Sequence, residues 1–151
     1  IFNFKYDKVI IFDIDALCLG DISELFNLNF PISVGGAGSL DKNHKVGFRW
    51  RKPFNAGFVC YNSYFLNEKF YKKCFNTNGF LEFAEQTLLN RKLRFFPKYF
   101  FDVKYNFHAT LNSTEIKNND VRILHYAGPK PHSNPHLPQM KYWFEAKEKF
   151  L

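Results

Sequence analysis

The chain has 151 residues, of which 46% are hydrophobic and 20% aromatic, with 21 Lys or Arg against 14 Asp or Glu. This composition excludes disordered and fibrous proteins, and a chain of this length buries one sizeable core. This length predicts a single domain, 1–151. No apolar run approaches the ~18 residues of a membrane-spanning helix, so we expect no such segment within it. The net charge of +7 lies mostly in 91–151, with eleven basic and five acidic residues, and favours an anionic ligand or surface.

The first part of the chain predicts short strands, a short helix and a loop. The continuous apolar run 9–12 is typical of a strand that is covered on both faces. A short helix is predicted at 21–26, with Asp21 as its N-cap, followed by a strand at 32–34. The polar, basic and glycine-containing stretch 38–53 predicts a surface loop.

The second part continues the alternation of strands and helices. A strand at 58–61 leads into a helix that Asn62 or Ser63 caps, which runs to about residue 75 and is followed by a second helix at 80–93. The remaining prediction is a strand at 95–96, a loop at 102–120, a strand at 123–126 and a helix at 139–150. This alternation predicts an α/β layered fold.

The three cysteines are Cys18, Cys60 and Cys74. Their odd number and the absence of a Cys-x-x-Cys pair disfavour a structural zinc site or a disulfide framework. Each has apolar neighbours in the sequence, so we expect buried free thiols and a reducing compartment.

Asp13 and Asp15 follow the strand predicted at 9–12, at the end where open α/β sheets bind ligands. Alternate residues of an extended chain point the same way, so both carboxylates can face one cation. Carboxylate oxygens suit Mg²⁺ or Mn²⁺, and such ions commonly bridge a diphosphate. The alternative is that the pair only ends a strand and caps a turn, but burying two carboxylates without a cation is costly.

Two enzyme classes place Asp-x-Asp at the end of an apolar strand. In haloacid-dehalogenase-like phosphohydrolases the first Asp is a nucleophile, and a Thr or Val normally stands where this chain has Leu17. That class also needs a later Asp pair, and no Asp-Asp occurs here. In nucleotide-sugar glycosyltransferases the two carboxylates hold the metal that binds the donor's diphosphate.

Four segments together resemble the family 8 glycosyltransferases, the group of glycogenin-like and bacterial lipopolysaccharide galactosyl- and glucosyltransferases. They are the strand, Asp-x-Asp and Leu-x-Leu-Gly-Asp-Ile-x-Glu-Leu-Phe of 8–26, Pro-Phe-Asn-Ala-Gly-Phe-Val-Cys-Tyr-Asn at 53–62, Glu-Gln-Thr-Leu-Leu-Asn at 85–90, and Ile-Leu-His-Tyr-Ala-Gly-Pro-Lys-Pro at 123–131. The resemblance spans about 6–145 and implies a GT-A type fold, a Rossmann-like mixed sheet flanked by helices. In the family a nucleotide-binding unit precedes the first segment, so we expect a domain that is incomplete at its N-terminus.

The resemblance implies retaining transfer of a hexose from a UDP-sugar to a saccharide or glycolipid acceptor, assisted by Mn²⁺ or Mg²⁺. It assigns three groups of residues by their match to the family's motifs. These are the metal ligands Asp13, Asp15 and His125; the donor- and diphosphate-binding residues Asn55, Ala56, Gly57, Gly128 and Lys130; and the catalytic residues Gln86 and Glu85.

The match departs from the family's pattern in three places, one of which is His132, where the family has Trp. Glu85 and Thr87 stand where the family has Asp, and only one residue separates Gly128 from Lys130, where the family has two. A glycine lets the backbone approach a diphosphate closely and a lysine supplies a point charge, so both residues suit the role despite the spacing. The sugar specificity does not follow from these residues.

The main alternative is an inactive, sugar-binding relative of the enzyme. The basic and aromatic segment 141–151 suits peripheral contact with an anionic membrane, although packing of its aromatic residues is the simpler interpretation. The chain carries no nucleic-acid-binding signature, so nucleic acid is not an expected partner. The expected location is the cytoplasm, with at most peripheral contact at the inner membrane face.

Overall fold

The computed structural model describes residues 5–35, 45–75, 84–109, 121–128 and 130–150. Within these ranges, a five-stranded sheet contains, in spatial order, β1 (Lys8–Phe12), β5 (Asn55–Asn62), β3 (Ile32–Gly35), β6 (Lys98–Phe100) and β4 (Gly47–Arg49). A second sheet has the order β2 (Ala16–Cys18), β8 (Ile123–His125) and β7 (Phe107–His108). The helices are α1 (Glu68–Phe75), α2 (Ala84–Lys92) and α3 (Met140–Phe150), with 3-10 turns at Ser23–Asn27, Val103–Tyr105 and Pro131–Ser133.

Both sheets are mixed. In the larger sheet β1 and β3 run antiparallel to β5, whereas β3 and β6 are parallel. In the smaller sheet β2 is antiparallel and β7 parallel to β8. The predicted α/β class with a mixed sheet is therefore confirmed.

Strand β5, which pairs with both β1 and β3, contributes side chains to two separate core clusters. Side chains alternate between the two faces of a strand. Val59 and Tyr61 accordingly join one buried cluster with Phe65 and Leu93, while Phe58 and Cys60 join a second cluster. Burial of a large apolar side chain contributes about 1.5–3 kcal/mol, so the two clusters fix β5 and the residues at its ends.

A third cluster attaches the terminal helix to the smaller sheet. Leu124, Tyr126 and Met140 are fully buried, and the rings of Tyr126 and Trp143 meet edge to face with centroids 5.4 Å apart. The Tyr126 hydroxyl donates to the carbonyl of Gln139 at 3.0 Å. These contacts engage Trp143 of α3 in packing, whereas Phe144 on the same helix is exposed. No helix in the described ranges is both long enough and apolar enough to cross a membrane.

The structure corrects four of the predicted elements. The stretch 38–53, predicted as a loop, contains β4, and 102–120 contains β7 as well as a 3-10 turn. The strand predicted at 95–96 is wrong. The chain forms hydrogen-bonded turns there after α2, and the observed strand β6 begins at Lys98. Helix α1 begins at Glu68 rather than near residue 63, since Asn67 Oδ1 accepts from the backbone N–H of Phe70 and so caps it.

Burial differs from the prediction at the first strand and at one cysteine. β1 is half-buried rather than covered on both faces, because among the described strands it pairs only with β5. Cys18 is exposed, whereas Cys60 and Cys74 are buried as expected, and all three are free thiols. The predicted helix boundaries at 78–80 lie outside the described residues.

Candidate functional site

The turn that carries Asp13 and Asp15 joins the two sheets, because it links β1 of the larger sheet to β2 of the smaller. The backbone N–H of Asp13 donates to the carbonyl of Gly57 at 3.0 Å, and the N–H of Tyr126 donates to the carbonyl of Asp15 at 2.9 Å. The residue between them, Ile14, is 99% exposed. The backbone of both Asp residues is therefore fixed by one strand from each sheet.

His125 completes a cluster with these two carboxylates. It is the last residue of β8, pairs with Ala16 across the sheet and is buried. Its Nε2 lies 3.4 Å from Asp13 Oδ2 and 3.3 Å from Asp15 Oδ1. One potential ligand atom of each residue lies within 4.8 Å of the others, which is the arrangement of three ligands around one metal ion. Two carboxylates and an imidazole suit Mn²⁺ and also permit Mg²⁺.

The electrostatics of the cluster favour a cation. Burial raises the pKa of Asp13, His125 opposes this shift, and the charges of Asp15 and Glu85 add to it. Burial lowers the pKa of His125, although Asp15 and Asp13 act in the opposite direction. The imidazole is therefore neutral at pH 7, with one nitrogen able to act as a ligand.

Two backbone amides fix the orientation of a pair of side-chain amides beside the cluster. The N–H of Gly57 donates to Asn55 Oδ1 at 2.9 Å, and the N–H of Ala56 donates to Gln86 Oε1 at 3.0 Å. Because a backbone N–H only donates, these contacts identify both oxygens. The Nδ2 of Asn55 then donates to Gln86 Oε1 at 3.1 Å. Asn55 and Gln86 are consequently held as one unit at the start of β5.

This unit determines which nitrogen of His125 faces the carboxylates. Asn106 Nδ2 donates to Asn55 Oδ1 at 3.0 Å, so the Oδ1 of Asn106 is the atom that lies 2.9 Å from His125 Nδ1. A carbonyl oxygen only accepts, so the proton of the neutral ring is on Nδ1. The lone pair of Nε2 therefore faces Asp13 and Asp15, as a metal ligand requires. The residues present thus fit a divalent metal ion.

Two glycines make room for this network. A Cβ at Gly57 would lie 2.1 Å from His125 Cε1, and a Cβ at Gly35 would lie 2.4 Å from Asn106 Nδ2. Real Cβ atoms do not approach other atoms this closely, so no other residue fits at either position without displacing the network. Gly57 is therefore more than the first glycine of a strand, because it supports the ring of His125.

A second histidine packs against the first. His108, the last residue of β7, is buried, and its ring meets that of His125 edge to face with centroids 4.9 Å apart. Burial, reinforced by the neighbouring His125, lowers the pKa of His108 to about 4. A neutral His108 adds no positive charge that would repel a cation.

Lys130 reaches the cluster from the loop after β8. Its Nζ contacts the carboxylate of Asp15 and donates to the carbonyl of Tyr126 at 3.2 Å. In the same loop, Gly128 has φ 87°, a left-handed conformation that favours glycine, and its two chain neighbours aside, no heavy atom of the described residues lies within 4 Å of its Cβ position. The shortened Gly-to-Lys spacing therefore still places the Lys130 ammonium group at the predicted site.

Helix α2 brings Glu85 and Gln86 to the same region. Glu85 is exposed in the first turn of α2, and its charge contributes to raising the pKa of Asp13. Asn90 fastens this helix to the chain before β5: its Oδ1 accepts from the N–H of Phe54 at 2.9 Å and its Nδ2 donates to the Phe54 carbonyl at 2.8 Å. The structure thus joins eight of the ten sequence-predicted site residues through direct contacts. The other two, Glu85 and Gly128, lie next to Gln86 and two residues before Lys130 in the sequence.

Sequence reasoning missed Asn106 and Gly35 and gave Asn90 no role. Asn90 is the last residue of the quoted segment 85–90, so its signal was present in the sequence. Asn106 and Gly35 carry no motif, because their roles arise only when β7 and β3 are folded beside β5 and β8. No pattern within the sequence alone pairs Asn106 with His125.

Comparison with known proteins identifies the family. The sequence model described as "Glycosyl transferase family 8" matches residues 1–134. The chain belongs to glycosyl transferase family 8. The predicted resemblance is thereby confirmed, and it replaces the phosphohydrolase alternative. A curated relative, the lipopolysaccharide 1,3-galactosyltransferase of Salmonella typhimurium (strain LT2), is 30% identical over 97% of the chain. The chain spans about half the length of this relative, 50%.

Solved structures agree with the family 8 fold. The glycosyltransferase GlyE of Streptococcus pneumoniae TIGR4 matches 95% of the chain with a TM-score of 0.70 and 23% identity, over 40% of its own length. The galactosyltransferase LgtC, solved in complex with donor and acceptor sugar analogues, matches 94% of the chain with a TM-score of 0.59 and 18% identity, over 61% of its own length. Both likenesses support the GT-A type fold predicted for the chain.

Proposed function

We propose that the protein is a retaining glycosyltransferase that moves a hexose from a UDP-sugar to a saccharide or glycolipid acceptor. The observation that carries the proposal is the cluster of Asp13, Asp15 and His125, in which Nε2 of the imidazole faces both carboxylates. Membership of family 8 and the similarity to a lipopolysaccharide galactosyltransferase support this reaction class.

In this proposal Asp13, Asp15 and His125 hold Mn²⁺, or Mg²⁺ in its place. When bound, the ion supplies Lewis-acid stabilisation for the negative charge on the departing diphosphate. Lys130, which contacts Asp15, adds a positive charge on the same side and binds the diphosphate directly. The open space at Gly128 lets the backbone of the same loop approach the phosphates.

Gln86 and Asn55 position the donor sugar. The carbonyl oxygen of Gln86 accepts from both Asn55 and Ala56, so it is occupied and does not serve as a nucleophile. This supports attack by the acceptor on the same face as the leaving group, rather than through a covalent intermediate on Gln86. Glu85, exposed at the rim, is placed to accept hydrogen bonds from sugar hydroxyls.

The test is calorimetric titration of UDP into the complete gene product, with and without Mn²⁺. We expect Mn²⁺-dependent binding in the wild type and none in Asp15→Ala. A matched control, Asp102→Ala, removes a carboxylate whose described contact is the N–H of Lys104, and should bind UDP normally. Absence of UDP binding in the wild type would contradict the UDP donor, and binding without hexosyl transfer would favour an inactive, sugar-binding relative.

The proposal also includes a cytoplasmic location. The three free cysteines suit a reducing compartment, and the exposed Cys18 in particular would be open to oxidation elsewhere. The thiol of Cys18 then stays reduced in cells, which mass spectrometry after rapid alkylation would detect.

A further inference from the structure

A basic cleft lies between helix α2 and the segment that leads into β5. It has a volume of about 420 Å³. Among the described residues that line it, four are cationic and none is Asp or Glu; the four are Arg51, Lys52, Arg91 and Arg94. Cations that line one concave surface of this size concentrate positive potential within it.

One aromatic ring holds two of these cations. The guanidinium carbon of Arg51 lies 5.2 Å and that of Arg94 5.6 Å from the centroid of Phe95, which is 63% exposed. Stacking uses the face of a guanidinium group, and its N–H donors lie in the plane of that group. The pair therefore presents ordered hydrogen-bond donors to an oxyanion, for which arginine is geometrically suited.

The backbone of Arg51 is also unusual. Its φ of 55° lies in the left-handed region, which disfavours residues that carry a Cβ. Strain of this kind is concentrated at ligand-binding and active sites, where the surrounding structure enforces it. The strained arginine lies two residues before Pro53 and therefore outside the donor-site motif 53–62.

The cleft opens directly beside the candidate active site. Gln86 lines it, and the same side chain accepts hydrogen bonds from Asn55 and Ala56. Asn55 is connected through Asn106 to His125. A molecule in the cleft would thus extend towards the position of the donor sugar in the proposed reaction.

We propose that this cleft binds a phosphate group of the saccharide acceptor and so directs an acceptor hydroxyl towards the donor sugar. The assignment of the ligand as an acceptor depends on the proposed glycosyltransferase function. Four cations in a small cleft match a dianionic phosphate better than a single carboxylate. The concave shape fits a substituent that enters it, rather than the plane of a membrane surface.

The test uses glucose 6-phosphate and inorganic phosphate as probes, titrated into the complete gene product in the presence of EDTA. The chelator removes any metal through which phosphate would bind at Asp13 and Asp15. Glucose serves as the uncharged probe and glucuronate as the carboxylate probe. We expect both phosphate probes to bind at millimolar concentrations or below, glucuronate to bind more weakly, and glucose not to bind.

The decisive variant is the double substitution Arg51→Gln and Arg94→Gln. Loss of two charge-assisted contacts should weaken glucose 6-phosphate binding at least roughly tenfold. The matched control, Lys147→Gln with Lys149→Gln, removes the same charge from the exposed face of α3 and should change affinity less than about twofold. Mn²⁺-dependent UDP binding should persist in both double variants, which verifies that they are folded.

Three results would overturn the proposal. The first is an absence of phosphate and glucose 6-phosphate binding in the wild type, and the second is an equal loss in the two double variants. The third is binding to phosphatidylglycerol vesicles that the Arg51 and Arg94 substitutions abolish, without any binding of glucose 6-phosphate. Failure of the donor proposal is distinct, because it removes UDP binding and leaves phosphate binding in EDTA intact.

Discussion

The side-chain oxygen of Asn106 lies 2.9 Å from Nδ1 of His125, and this contact decides which nitrogen of the ring faces the two carboxylates. The contact belongs to a series of hydrogen bonds that begins at the backbone N–H of Gly57 and passes through Asn55. The backbone N–H of Gly57, which can only donate, thus determines the tautomer of His125 through three successive contacts. The ligand nitrogen is oriented before any metal binds.

Replacing Asn106 tests this orientation. Asn106→Leu removes the acceptor for His125 Nδ1–H, and we expect Mn²⁺ affinity to fall by about 10–100-fold, the usual effect of losing a residue that orients a ligand. Asn106→Asp keeps an acceptor for Nδ1–H but loses the donor to Asn55 Oδ1, so it should recover only part of the affinity. Electron paramagnetic resonance of free Mn²⁺ gives both values, and equal affinity in Asn106→Leu and wild type would refute the orienting role.

Two glycine substitutions separate steric from backbone effects. In Gly57→Ala the new Cβ meets the ring of His125 at 2.1 Å, so we expect loss of Mn²⁺ binding and a free energy of unfolding lowered by about 1–3 kcal/mol. In Gly128→Ala the Cβ enters open space, so only the left-handed φ of 87° costs energy, about 1–2 kcal/mol. Urea denaturation and Mn²⁺ titration of both variants distinguish the two mechanisms, and normal Mn²⁺ binding in Gly57→Ala would contradict the close contact.

Lys130 should affect the diphosphate and the metal in opposite directions. Its ammonium group contacts Asp15, so Lys130→Met removes a competitor for that carboxylate. We expect Mn²⁺ alone to bind as tightly as in wild type or more tightly, and UDP in the presence of Mn²⁺ to bind at least roughly tenfold more weakly. Lys147→Met is the control for net charge. Calorimetry that finds unchanged UDP affinity would rule out contact between Lys130 and the diphosphate.

The cysteines should differ in reactivity. Cys18 is exposed, whereas burial raises the pKa of the Cys60 thiol to about 11, so only about 0.1% of it is thiolate at pH 8. We expect one thiol to react rapidly with a chromogenic disulfide in the native protein at pH 8, and Cys60 and Cys74 to react far more slowly until the protein unfolds. Because the thiolate fraction of Cys60 rises with pH up to about 11, alkaline pH should speed its reaction. Cys18→Ser should abolish the rapid phase, and its persistence would assign it to another thiol.

A buried lysine stabilises the chain after α2. Lys98 is 1% exposed, its Nζ donates to the carbonyls of Leu93 at 2.9 Å and Phe96 at 3.2 Å, and burial lowers its pKa. Lys98→Met keeps the length but removes the ammonium donor from both carbonyls, so that the Leu93 carbonyl keeps the N–H of Phe96 as its described donor; we expect a loss of about 1–3 kcal/mol in the free energy of unfolding. Lys72→Met, which removes only an exposed ion pair with Glu68, should cost less than about 0.5 kcal/mol. Equal denaturation midpoints for the two variants would contradict this role.

The sequence by itself determined the family and pointed to the three residues that the structure brings together as a candidate metal site. Asp13 and Asp15 lie two residues apart after an apolar strand, so local spacing was enough to select them, whereas His125 was selected by its match to the family's motif. The α/β class followed in the same way from the alternation of short apolar runs and helical patterns. These features are local, because side chains alternate between the two faces of a strand with a period of two residues.

Only the tertiary structure decided how those residues are held. The strands β4, β6 and β7 were misplaced or missed because two- and three-residue strands depend on their partners rather than on their own sequence. Cys18 has apolar neighbours in the sequence and yet is exposed, since its burial depends on what packs over β2. Asn106 and His125 are nineteen residues apart and meet only because β7 and β8 pair in parallel. Contacts between distant residues depend on the packing of the whole chain, and no local pattern encodes them.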